Sequence, residues 1–282
     1  MKRPKQFLAG INIRKADILI GITLAALPFV IPLFTLRTLD TSGSLVTAVT
    51  AVFAVVAGFF IADVTGNYLR LQTLIAEENA CFISIAHDVR ECVPEKFPEA
   101  QTAIDGYMIA QLDIDELDHI VRTSREFEAL ISTLGLLAAH APPDHPFLSN
   151  IQTKKDELIE LNQEITLAAR QNLTWIHWFI LFTLGGVVGL NMLALRDEGI
   201  MLKCIVGAVL LSIEAVIIVL RDMDNNRFLQ RKLGFRNPQQ VFRALLLPPY
   251  YPVTAQLRQR NAGPDGTYRT RDAKGAVAVV RA

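Results

Sequence analysis

The sequence predicts an all-α membrane protein: four transmembrane helices, two of them extended into an all-helical cytoplasmic domain. Three observations predict it. Four stretches are nearly free of charge, at residues 18–36, 45–62, 173–195 and 201–220, the last broken only by Lys203 and Glu214. At about 1.5 Å per helical residue each reaches the roughly 30 Å of a bilayer's hydrocarbon. The mean hydropathy is +0.31 and 51% of residues are apolar, against roughly 45–50% in soluble domains. The third observation is charge partition behind a formal net charge of zero.

Residues 1–15 carry five basic side chains and no acid; residues 63–172 have a net charge of −11, and residues 221–282 one of +8. Basic segments stay on the cytoplasmic side. Both termini and the long 63–172 insert are therefore expected in the cytoplasm, with multi-pass insertion in the membrane; the resemblance described below implies that this is the bacterial inner membrane. The basic ends can pair with the acidic insert or lie along anionic headgroups.

The chain then divides as follows. A basic amino terminus (1–15) precedes the first two spans (16–62). An apolar run this long without a small-x-small cleavage site reads as an uncleaved span, not a signal peptide. From 45 onward no proline intervenes until Pro94, and Leu71, Leu74, Ile75, Phe82 and Ile85 recur at helical spacing. Span two is thus expected to continue as one rod of some 45 residues. Within 63–172, helices are expected near 97–121 and 124–140. A second rod should enter span three, because neither Gly nor Pro occurs between Phe147 and Gly185. Leu158, Leu161, Ile165 and Ala168 form its seam, and Trp175 and Trp178 its aromatic belt. Spans three and four occupy 173–220. A basic segment (221–255) and a tail (256–282) poor in bulky apolar groups follow, the latter expected to be mobile. No strand is predicted. Cys81, Cys92 and Cys204 are expected as free thiols.

Ala54, Gly58, Ala62 and Gly66 follow at intervals of four, a ridge that permits close helix approach in lipid. It packs either within the chain or against a neighbouring subunit.

Three blocks resemble the bacterial bestrophin-like membrane proteins, relatives by architecture of the bestrophin anion channels. They are "GFF…NYLR" at the end of span two; "AEENA", similar to a Glu-Glu-Ala-Asn-Ala pattern at Glu77, Asn79 and Ala80; and "LRDMDNNRF" after span four, similar to an Asp-Leu-Asp-Arg-Pro element at Asp222 and Asp224, with Asn225 and Asn226 replacing Arg-Pro. The resemblance covers roughly 45–245. It implies a homo-oligomer around a central axis, with span two lining a pore for permeant ions.

Several residues carry candidate chemistry. Val52, Val56 and Phe60, at i, i+4 and i+8, form an apolar stripe able to act as a hydrophobic constriction or simply to pack. Asp63, Asn67 and Arg70 follow as a pore mouth or an interfacial cap. Glu214 lies about 10 Å inside the cytoplasmic edge, where an acid is costly. It is either a structural acid or an ion-pathway residue, with Thr183, His177 and Thr23 as partners by depth. "DIDELDH" (113–119) lacks the glycine turn and ligand spacing of a calcium loop, and the histidines show no metal spacing. Neither metal nor cofactor is expected. No phosphate loop or nucleophile elbow occurs, so the reading is not an enzyme, and nothing points to nucleic acid. An ion channel and a non-conducting scaffold or sensor, whose cytoplasmic domain binds a protein partner, remain the two alternatives.

Overall fold

A computed structural model of the chain describes residues 15–30, 43–113, 119–139, 146–171, 173–194, 200–224, 236–252, 266–272 and 276–281. Residues 31–42 and 195–199, which join the expected spans, Asn225 and Asn226, and most of the 113–119 acidic run lie outside them, as does nearly all of the basic amino terminus. The fold is predominantly helical. Its elements are α1 (Lys15–Val30), α2 (Gly43–Cys92), a 3-10 turn at Pro94–Lys96, α3 (Phe97–Asp113), α4 (His119–Ala139), α5 (Pro146–Arg170), α6 (Trp175–Ala194), α7 (Ile200–Asp224) and α8 (Arg236–Ala244), then strands β1 (Thr267–Arg271) and β2 (Val277–Arg281). Two compact units result, one from Met1–Tyr68 with Gln171–Phe228 and one from Leu69–Arg170 with Leu229–Ala282.

Lipid-depth sequence forms helices because only a helix satisfies every backbone group within one segment. Thr47–Cys92, Ser149–Leu193 and Lys203–Asp224 are long and apolar enough to cross a membrane, whereas the apolar helix Asp17–Phe29 is shorter. The second of these stretches takes in α5 and α6, and its apolar part is α6. α2 runs unbroken for 50 residues, about 75 Å at 1.5 Å per residue. The rod expected from the absence of breakers is present.

The second rod is not continuous. The helix stops at Arg170 and restarts at Trp175. Thr174 starts α6 by accepting His177 N–H through its carbonyl oxygen at 3.0 Å, while its own N–H donates to His177 Nδ1 at 3.0 Å. Leu173 N–H donates to Asp224 Oδ1 at 2.6 Å. Side-chain acceptors thus satisfy amides that a broken helix would orphan. A threonine just before an apolar run is the usual start signal, and the absence of Gly and Pro masks it.

In the first unit the core comprises Phe53, Ala57, Val64, Leu181, Val188 and Leu220, with Leu193, Val206 and Leu210 as a second cluster. α1 and α7 pack antiparallel through glycine. A Cβ at Gly207 would lie 3.2 Å from the Ala25 carbonyl oxygen. Asp17, 6% exposed, accepts two 2.8 Å hydrogen bonds from Arg221. In the second unit, Phe82, Ile85, Ile104, Met108, Leu130, Leu134, Ile151, Val241, Phe242 and Tyr250 form the core.

The tail corrects the prediction twice. Residues expected to be mobile form a hairpin, so the chain is not all-α. Thr267 pairs with Arg281 and Arg269 with Val279. Arg269 N–H donates to Pro249 O at 2.7 Å, and Tyr251 N–H to Arg269 O at 2.9 Å. The Arg269 guanidinium grips Asp105 of α3 through two 2.7 Å bonds, donates to Pro248 O and covers the Phe242 ring at 5.0 Å. The hairpin is fixed to helices, not free.

Candidate functional site

One face of α2 is the candidate site, and it begins as a packing asymmetry. Within the first unit Phe53, Ala57, Val64 and Tyr68 face inward. The opposite face stays uncovered by the described residues and carries Ala51, Val52, Ala54, Val55, Gly58, Phe59, Ala62, Asp63 and Gly66. Val52 is 51% exposed, Val55 58% and Phe59 70%. A Cβ placed on Gly58 or Gly66 would meet nothing within 4 Å.

This face differs in kind from the other uncovered apolar faces. α6 presents Trp175, Ile176, Phe179, Phe182 and Leu190, and α1 presents Ile18, Leu19, Ile20, Ile22 and Phe29. Bulky apolar groups suit acyl chains. Alanine, glycine and an aspartate suit close approach of another helix, or water.

The expected stripe of Val52, Val56 and Phe60 does not share one exposure. Val56 and Phe60 are half-buried, and Phe60 packs edge-on against His177 with ring centroids 5.0 Å apart. The reason is helical drift. A step of four residues turns about 40° past a full revolution, so eight residues turn about 80°, off the open face. Steps of three and four keep to it, giving Val52, Val55 and Phe59.

Of the residues that follow, Asp63 is exposed. Asn67 Nδ2 donates to Gln171 O at 3.1 Å, which ties α2 to the break before α6. Arg70, in the second unit, pairs with Glu164 at 3.0 Å; both side chains are solvated, so the pair contributes about 0–1 kcal/mol. The three therefore have separate roles: an open carboxylate, a backbone tie and a surface ion pair.

The partners expected for Glu214 also lie elsewhere. Thr23 Oγ1 donates to Leu19 O on its own helix at 2.8 Å. Thr183 is exposed. His177 Nδ1 receives Thr174 N–H, with Thr174 Oγ1 at 2.8 Å. Equal depth is not equal azimuth. Ile213 faces Gly185 and Leu210 faces Gly189 across α6 and α7, and Glu214, about 100° round from Ile213, turns to Gly21 of α1.

The motif positions separate by burial. Glu77 and Ala80 are exposed and Asn79 is buried, with its Nδ2 donating to Ile75 O at 2.8 Å. Asp222 is buried and Asp224 caps Leu173. The residue that sequence reasoning passed over is Glu78, fully buried in the second unit. Its Oε1 accepts from Tyr107 Oη at 2.7 Å and its Oε2 from Gln111 Nε2 at 3.0 Å. Burial pushes this carboxyl above the usual range, against the pull of those two hydrogen bonds. Burial and the Glu78 carboxylate likewise push the Tyr107 hydroxyl well up. The sole cue in sequence is an acid on the apolar side of the rod, beside Leu74, Phe82 and Ile85.

A raised carboxyl pKa makes the folded chain hold a proton that the unfolded chain has released. Stability then falls as pH rises from the ordinary carboxylate range through the raised value. Glu78→Gln keeps the shape without the titration. It is expected to flatten that decline, so that the variant gains on the parent as pH rises, read from denaturation midpoints in detergent at acid and at alkaline pH.

Among the described residues no group of three or more His, Cys, Asp and Glu is gathered to hold a metal. Asp113, the first residue of the acidic run, instead accepts from Tyr250 Oη and Arg271 Nε, each at 2.5 Å.

A family model described as "Bestrophin-like domain" matches residues 18–225. Among solved structures the chain is similar to two variants of a bacterial bestrophin homolog from Klebsiella pneumoniae. One matches with TM-score 0.65 and 10% identity over 82% of this chain and 94% of that one; the other with TM-score 0.64 and 9% identity over 82% and 97%. A variant described only as a membrane protein matches with TM-score 0.65 and 10% identity over 82% and 96%. At such identity the likeness is one of fold. No curated protein matches the sequence.

Proposed function

The chain belongs to the bestrophin-like family, and from that premise we propose that it forms a homo-oligomeric ion channel in the bacterial inner membrane, with α2 lining the axis. α1, α2, α6 and α7 are its four spans. The charge partition puts both termini and the acidic 63–172 segment on the cytoplasmic side, where several copies of that segment line a vestibule rich in negative charge.

The observation that carries the reading is the open face of α2. A membrane helix whose Ala51, Ala54, Gly58, Ala62 and Asp63 no described residue covers is poorly matched to acyl chains and well matched to neighbouring helices and water. Symmetry then repeats Val55 and Phe59 around the axis as an apolar constriction of the kind that gates by dewetting. Asp63 forms a ring one turn beyond Phe59.

Reconstitution into liposomes with an ion-flux assay tests this. The parent protein should pass ions, and Phe59→Ala should raise the flux several-fold by widening the narrowest apolar ring. Absence of anion and cation flux from both proteins would favour the alternative, a non-conducting scaffold whose cytoplasmic segment binds a protein partner.

A further inference from the structure

Glu214 sits in a place built for it. A Cβ on Gly21 would stand 2.7 Å from Glu214 Oε2 and 3.4 Å from Leu211 Cδ2, so the missing side chain of α1 is the room the carboxyl occupies. The neighbour at the same glycine, Leu211, is apolar, and further along α1 Leu24 and Leu27 pack with Val206 and Leu210 of α7.

Among the described residues no cation is seen paired with Glu214. The acid lies one helical turn from Asp17 along α1, and Asp17 already takes both guanidinium nitrogens of Arg221 at 2.8 Å. α6 brings only His177, hydrogen-bonded to Thr174, and the apolar part of α2 brings no acid or base. Glu214 Oε1 is buried with no hydrogen-bond partner. An ionised carboxylate here would add a second negative charge beside Asp17, at a depth where even one is costly.

We propose that Glu214 is an intramembrane proton-binding site, occupied at neutral pH, whose deprotonation sets Glu214 against Asp17 for Arg221 and loosens α1 from α7. The site stands whether or not the chain conducts, since it lies on the α1–α7 contact and not on the open face of α2.

Infrared spectroscopy of the full chain in lipid nanodiscs tests the occupancy. At neutral pH the parent should show a protonated-carboxyl C=O component that shifts in D2O. Glu214→Gln should lose it and Asp17→Asn keep it. Parent and Glu214→Gln spectra identical in that region would overturn the assignment. Dicyclohexylcarbodiimide, which adds to protonated carboxyls in apolar surroundings, provides a reading on the parent chain itself. Peptide mass spectrometry should find the adduct on Glu214, falling several-fold as pH is raised. Glu214 unmodified throughout, or protected by sodium ions at constant pH, would overturn proton binding.

Discussion

Arg269→Ala is expected to release the carboxy-terminal hairpin and to destabilise the second unit by about 3 kcal/mol or more. The magnitude follows from what is left behind. The Arg269 and Asp105 side chains are 8% and 19% exposed, and truncation leaves the Asp105 carboxylate without its two donors. It also removes the donor to Pro248 O and the cation over Phe242, the latter contributing about 0.5–1 kcal/mol. Arg269→Lys should rescue little, because an ammonium cannot present the planar fork that bonds both oxygens. Arg269→Ala combined with Asp105→Ala should recover part of the loss, since no buried charge is then stranded. Hydrogen exchange over residues 267–281, with the unfolding midpoint, reads both effects. Slow exchange persisting in Arg269→Ala would mean that the strand pairing of β1 with β2, and not the ion pair, holds the hairpin.

That latch also shows where sequence reasoning stops. The alternation in "TYRTR" and "VAVVR" is a strand signal, but two five-residue strands are marginal alone. What fixes them is an aspartate 164 residues away, and no local pattern announces a partner at that separation. The break before α6 has the same cause: Thr174 is a local cue, but the acceptor for Leu173 N–H is Asp224 on another helix. The three long apolar helices, by contrast, are legible because lipid imposes its demand on each segment separately, and the rod of α2 because nothing interrupts its periodicity. The candidate site divides along the same line. Depth along a helix follows from counting residues, which is why Glu214 is expected inside the membrane. Azimuth depends on which neighbour a face meets, so its contact with Gly21 and the half-burial of Val56 and Phe60 required the fold.

Azimuth also makes the assembly testable at one glycine. Gly58→Leu is expected to leave the folded chain as stable as the parent, or up to about 1 kcal/mol more stable, because leucine favours helix over glycine by roughly that amount and no described residue meets a Cβ there. The same substitution should break the oligomer, since an isobutyl group on the small-residue ridge holds neighbouring backbones apart. Native mass spectrometry or light scattering in detergent should therefore show a folded monomer where the parent is an oligomer, and Gly66→Leu should behave alike. Gly207→Leu is the opposite case. Its Cβ would press at 3.2 Å on the Ala25 carbonyl oxygen, a backbone atom that cannot swing aside, so the chain itself should lose stability by separating α1 from α7. Variants that act only inside the chain lower the unfolding midpoint and any assembly together, whereas Gly58→Leu uncouples the two. An assembly untouched by Gly58→Leu would put that face of α2 against lipid, and the axial reading of Val55, Phe59 and Asp63 would fall with it.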